Sequence, residues 1–219
     1  MSVHLQRQIE RLKKDVVSLC ALAEEQVQMA VRALLNRDEE MARRVERRDM
    51  EIDQREVEIE EECLKTLALH QPVAGDLRFI VSALKINNDL ERIGDMAANI
   101  ARKAVTLATL PPLDIPFDLQ GMADKTQTML RDSLDAMVNS NPELAGSVCA
   151  RDDEVDRMKH EIRAKAEAMI RQDPRHLTAM LNLLAVSRNL ERIADHATNI
   201  AEDVVYLVEG RIIRHRHFD

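Results

Sequence analysis

Apolar residues recur every three or four positions along almost the whole chain. From His4 to Asn36 they fall at Leu5, Ile9, Leu12, Val16, Leu19, Ala23, Val27, Ala30 and Leu34. That spacing places them on one stripe of an α-helix and predicts a single long amphipathic element. Asn36-Arg-Asp38 reads as a turn, with Asp38 as N-cap of a second helix running to about Leu69. Its apolar side carries Met41, Val45, Ile52 and Ile59. Pro72 and Gly75 break the pattern, and Asp76 is the expected cap of a third helix ending near Leu110. After Pro111-Pro-Leu-Asp-Ile-Pro116 the plan repeats from Asp118 to Ser140, Glu143 to Gln172 and His176 to Gly210.

Six helices of roughly 30 residues, each about 45 Å long, imply an all-α fold of two tandem three-helix bundles. The units expected are 1–110 and 118–219, joined by a stiff Pro-rich linker at 111–117 and related by a pseudo-two-fold axis. The repeat is visible in the residues. Asp89-Leu-Glu-Arg-Ile-Gly-Asp-Met-Ala-Ala-Asn-Ile-Ala101 is echoed 100 positions later by Asn189-Leu-Glu-Arg-Ile-Ala-Asp-His-Ala-Thr-Asn-Ile-Ala201. Upstream, Arg48-Asp-Met-Glu-Ile-Asp53 resembles Arg151-Asp-Asp-Glu-Val-Asp156 at an offset of 103.

The apolar members of these motifs are what any bundle requires. The acidic ones are not. Each half carries Asp-x-x-x-Asp on one helix and Glu-x-x-x-Asp on the next, and residues four apart share a helix face. Asp49 and Asp95 are equidistant from Pro72, as are Asp53 and Glu91. Asp152 and Asp195, and Asp156 and Glu191, are likewise equidistant from Asp173-Pro174. Helices folded back at those breaks bring four carboxylates face to face in each half. Such a group repels itself unless a counter-charge is present, and a hard cation is the simplest one. The competing explanation is a solvated acidic face, which suffices for Glu58, Glu60, Glu61 and Glu62.

Asn99 and Asn199 follow four residues after Asp95 and Asp195. Each is placed to offer a carbonyl ligand, to support a carboxylate from behind, or to form an interhelical hydrogen bond. Arg92 and Arg192 are placed to screen the acidic face or to pair with neighbours, with phosphate binding the lesser alternative. His196 has Met96 as its counterpart, and His215 and His217 lie in a basic tail expected to be disordered.

Composition narrows the function classes. The chain is 45% hydrophobic and 32% charged but only 2% aromatic, a balance that suits long helices rather than sheet. A net charge of −8, one Tyr and no Trp argue against nucleic-acid binding. Cys20, Cys63 and Cys149 lack CxxC spacing and read as core residues in a reducing compartment. The charged stretch Met1 to Lys14 is no signal peptide, and no apolar run matches a membrane span, so a cytoplasmic protein is expected. Di-iron oxidases built on helix bundles need Glu-x-x-His, and no His here has a Glu three residues before it. With no phosphate-binding loop or nucleophile motif either, the residues point to a sensor or scaffold and not an enzyme.

The duplicated unit, with LERIGD at 90–95 and LERIAD at 190–195, resembles the PhoU family of phosphate-signalling proteins. Gln71-Pro-Val-Ala-Gly-Asp-Leu-Arg78 is similar to that family's turn into its third helix. The likeness spans the chain from His4 to Gly210, with Ala194 standing where the first copy has Gly94. It implies metal clusters held by Asp49, Asp53, Glu91, Asp95, Asp152, Asp156, Glu191 and Asp195. The ions expected are divalent or trivalent. Magnesium, manganese or calcium suits oxygen ligands by hardness and ferric iron by charge, with zinc a further candidate. The resemblance further implies a homodimer acting at the inner face of the membrane. Its implied partners are the ATPase subunit of a phosphate ABC transporter and a sensor histidine kinase. The implied role is negative regulation of the phosphate-starvation response and restraint of phosphate uptake. A purely structural helical scaffold and a carboxylate metalloenzyme, such as a phosphatase, are the alternatives.

Overall fold

The computed structural model describes residues 3–213. It is a bundle of seven α-helices: α1 (Val3–Asn36), α2 (Glu39–His70), α3 (Ala74–Thr109), α4 (Leu119–Asn139), α5 (Pro142–Cys149), α6 (Asp152–Gln172) and α7 (Leu177–Glu209). No strand occurs among the described residues, and none of their helices is long and apolar enough to cross a membrane. The all-α tandem fold read from the sequence is the fold observed. His215 and His217 lie outside the described residues.

The helix boundaries follow from local chemistry. Asp38 caps α2 as expected, its Oδ1 accepting from the Met41 amide at 2.9 Å. Arg37 takes a left-handed backbone (φ 54°) at this turn. Its guanidinium donates to the carbonyls of Ala108 and Leu110, satisfying the C-terminal end of α3. Asp118 caps α4 by accepting from the Gly121 amide at 2.8 Å. Gly210 closes α7 in the left-handed conformation (φ 71°) that glycine adopts without penalty.

Two expectations are corrected. Asp76 does not cap α3, which begins two residues earlier after Val73; Asp76 instead lies in its first turn. The segment 143–172 is not one helix but two, α5 and α6, parted at Ala150-Arg151. The side chain of Arg151 lies at the break. Its Nε donates to the Ser147 carbonyl at 3.1 Å, the acceptor an unbroken helix would give to the Arg151 amide. That amide bonds the Val148 carbonyl instead, at 3.0 Å. The guanidinium is also drawn to Asp132 on α4 at 2.6 Å.

Packing places α1 against α2 and α3, and α4, α5 and α6 against α7, with α3 and α7 joining the halves. Salt bridges across this seam show that α3 and α7 run antiparallel: Lys85 meets Asp203 (3.1 Å) and Asp89 meets His196 (2.7 Å). The core is continuous through both halves. Leu90, Ile93, Ala97 and Ile100 and their repeat partners Leu190, Ile193, Ala197 and Ile200 are all fully buried within it. The Pro-rich connection is docked, since Phe117 is buried and Leu110, Leu113 and Ile115 pack on the core.

Candidate metal centre

The hairpins align the acidic motifs as the spacing requires. Ile52 and Ile59 on α2, and Leu90, Ile93 and Ala97 on α3, bury the apolar stripes. The intervening positions are thereby turned to one edge of the α2–α3 contact, and these hold Asp49, Asp53, Glu91 and Asp95. Asp49 is pushed up to about 6, first by burial and then by the charges of Asp53 and Asp95. Glu91 is raised by burial, Asp95 and Asp53. In the second half burial, Glu191, Asp152 and Asp156 push Asp195 up to about 6. Asp152 is raised by burial and then by Asp156. Each carboxylate quartet is thus one electrostatic unit in which ionisation of one member opposes ionisation of the next.

Two oxygens expose what these units lack. Glu91 Oε2 and Asp156 Oδ1 are buried and accept no hydrogen bond, although Arg92 Nε lies 3.3 Å from the first and Lys159 Nζ 3.7 Å from the second. A buried acceptor without a donor is costly, and a cation offers such an oxygen a partner. The donor set, oxygen throughout, fits a hard cation in kind. Among the described residues, no three acidic, histidine or cysteine side chains converge closely enough to hold an ion. Ligation by these residues therefore requires side-chain rotation within each quartet.

The residues around the quartets are where sequence reasoning was incomplete. Gln26 of α1 donates to Asp49 Oδ1 at 3.1 Å, and Thr198 donates to Asp152 Oδ1 at 3.4 Å. Lys159 of α6 lies 2.6 Å from Glu191 and 3.7 Å from Asp156. The one signal for Lys159 in the sequence is its position three residues after Asp156, where the first repeat places Glu56 after Asp53. Arg92 does screen its face, at 3.3 Å from Glu91 and 3.4 Å from Asp95. Arg192 is exposed and Asn99 half-buried. Asn199 is turned to the seam, where its amide donates to Asp89 Oδ1 at 3.4 Å beside His196.

The thiols contribute no nucleophile, since burial pushes Cys20 and Cys63 up to about 12 and Cys149 up to about 11.

The model of the PhoU domain matches this chain twice, over residues 16–104 and 119–204. The chain belongs to the PhoU domain family. A protein of Aquifex aeolicus described as "Phosphate-specific transport system accessory protein PhoU homolog" is 39% identical over 211 residues, covering 96% of each chain. A Pseudomonas aeruginosa protein with the same description is 38% identical over 98% of this chain and 89% of its own. The crystal structure of PhoU from Pseudomonas aeruginosa superposes with a TM-score of 0.90 at 38% identity, covering 94% of this chain and 99% of that one. The phosphate transport system regulatory protein PhoU from Streptococcus pneumoniae gives 0.84 at 30% identity, covering 95% and 98%. These PhoU likenesses run through both halves, so each acidic quartet lies inside a matched domain.

Proposed function

We propose that this PhoU-family chain is a cation-bearing, non-enzymatic regulator that keeps the phosphate-starvation response off when phosphate is plentiful. The observation that carries the regulatory part is near-full-length similarity to proteins described as accessory to phosphate-specific transport. In this reading the chain acts in the cytoplasm as a homodimer. It contacts the ATPase subunit of a phosphate ABC transporter, restrains uptake, and passes the transporter's state to a sensor histidine kinase. The cation-bearing part is supported by the all-oxygen donor set of the acidic quartets, in which buried oxygens of Glu91 and Asp156 accept no hydrogen bond and have only a basic side chain nearby. The ligands would be Asp49, Asp53, Glu91 and Asp95 in one half and Asp152, Asp156, Glu191 and Asp195 in the other. A bound cation would supply fixed positive charge there. The protein's part is to hold the carboxylates on rigid helices, so that each face presents a defined charge pattern to a partner.

A second reading, a scaffold whose acidic stripes are merely solvated, is favoured by the lack of three convergent ligands among the described residues. Elemental analysis of untagged protein, with and without chelator, separates the two. The regulatory role is tested with a starvation-promoter reporter in phosphate-rich medium. Strong expression in a strain lacking the protein is expected, and full repression there overturns the role. Full repression by a stable variant lacking all eight carboxylates keeps the role and removes the cations from it.

A further inference from the structure

The two acidic faces are built from matching residues but are not electrically alike. Three residues after the Asp-x-x-x-Asp pair, the first half has Glu56 and the second has Lys159. Glu56 adds negative charge to its face, being itself raised by burial and by Glu60 and Asp53. Lys159 does the opposite. Its ammonium is 2.6 Å from Glu191 and 3.7 Å from Asp156, and Asp195 attracts it as well. Three of the four carboxylates of the second quartet therefore already share a cation supplied by the chain. The arginine of the first quartet is placed differently: Arg92 reaches Glu91 and Asp95 only at 3.3 and 3.4 Å and is half exposed.

We propose that Lys159 is a built-in counter-ion that makes the halves unequal, so that the Asp49–Asp53–Glu91–Asp95 face loads with cations first. The second face loads only when Lys159 is displaced. This rests on the cation-bearing reading above and extends it, because it assigns an order to two sites the sequence repeat would make equivalent. The physical reason is competition. An ion approaching Glu191 must break a short charge-assisted hydrogen bond and meets the repulsion of a nearby ammonium. At the first face the basic groups are held less closely, Arg92 at 3.3 and 3.4 Å and Arg102 acting on Asp49 without a salt bridge, and Glu56 adds attraction. The asymmetry gives one chain a graded response to cation concentration, with a half-loaded state between empty and full.

The test is a manganese(II) titration of untagged, chelator-treated full-length protein, with free ion followed by electron paramagnetic resonance. Two classes of site are expected, differing at least tenfold in affinity. Glu91→Ala with Asp95→Ala should remove the tight class and leave the weak one. In that background Lys159→Met, which keeps the aliphatic stem, should tighten the weak class at least tenfold. Glu56→Lys in the otherwise natural chain should weaken the tight class. Lys125→Met is the control, since Lys125 pairs with Glu154 at 2.8 Å in the same half and with no member of the quartet. It should change neither class, and an effect equal to that of Lys159→Met would reduce the proposal to net charge and overturn it. Circular dichroism confirms folding of each variant. If the natural protein binds no manganese at all, the cation reading itself fails. If it binds at two equal classes and Lys159→Met changes nothing, that reading stands and the order proposed here is wrong.

Discussion

Ile52 and Gly94 meet so closely that a β-carbon on Gly94 would lie 2.9 Å from Ile52 Cδ1 and 3.2 Å from its Cγ2. The second repeat answers the same contact with Val155 and Ala194, both buried. One carbon has in effect moved from the α2 side chain to the α3 side chain, and the space filled stays similar. Gly94→Ala gains about 1 kcal/mol of helix propensity but must force Ile52 aside, an overpacking cost of roughly 1–3 kcal/mol. We expect net destabilisation of about 1 kcal/mol. Adding Ile52→Val should recover it, with a favourable coupling of about 1–2 kcal/mol in a double-mutant cycle read by urea denaturation. Simple additivity would show that the two positions do not share this space.

The acidic quartets give the cation-free protein an inverted pH response. Asp49 and Asp195 titrate near 6 when folded, while an unfolded Asp titrates at about 4. Between those values the native state holds protons the unfolded chain has released, so stability falls as pH rises from about 4 to about 6. Chelator-treated protein should melt a few degrees higher at pH 5 than at pH 7.5. Asp173 does not interfere, because Arg175 holds its carboxyl down to about 2. Excess magnesium or manganese should narrow the gap by raising the melting point at pH 7.5. A melting point that rises from pH 5 to 7.5 would contradict the repulsion inferred for these faces.

Glu91→Ala combined with Asp95→Ala should lower bound metal by the first half's share and leave the second half's share intact, since each quartet is built within one hairpin. In the cation-free state the variant should be as stable as the natural protein or more so. Like charges four residues apart are removed and Ala favours helix, a gain of about 0.5–1 kcal/mol. Unchanged metal stoichiometry by elemental analysis would show that these residues are not ligands.

The seam should respond differently. Asp203 is 2% exposed and Lys85 reaches it at 3.1 Å while lying over the Tyr206 ring at 5.3 Å. Lys85→Met leaves a buried carboxylate short of its cation. Removing one partner of a fully buried pair costs roughly 3–5 kcal/mol, and this half-exposed lysine should cost about 2 kcal/mol. Changing Asp203 to Asn as well should return part of that loss. Chemical denaturation measures both, and a neutral Lys85→Met would mean the pair does not brace the halves.

The seam also shows where sequence reading stopped. The repeats match at Leu90/Leu190, Glu91/Glu191 and Asp95/Asp195 because both must bury the same stripe and turn the same edge outward. Periodicity alone therefore gave the helices and the facing carboxylates. Contacts between repeats leave no such trace, since they need not be symmetric. The ion-paired ones occur where the copies diverge: Asp89 against Asn189, His196 against Met96, Lys85 against Ala185, Asp203 against Lys103. In each pair the divergent residue of one repeat meets that of the other across α3 and α7. The break between α5 and α6 was hidden for a different reason. No glycine or proline stands at Ala150-Arg151 to mark it. Lys159 was visible as a residue, but only the structure showed which carboxylates it reaches.

The antiparallel seam between α3 and α7 also has a bearing on how the chain is made. Lys85 and Asp203 are 118 residues apart, so one face of α3 is complete long before its cover exists. At a synthesis rate of roughly 5–20 residues per second, the interval is about 6 to 24 seconds. Throughout it, the flank of α3 that α7 will cover stays open to the ribosome exit and to chaperones. The three-helix unit that looks self-sufficient in sequence is, on the ribosome, a client waiting for the last helix of its own chain.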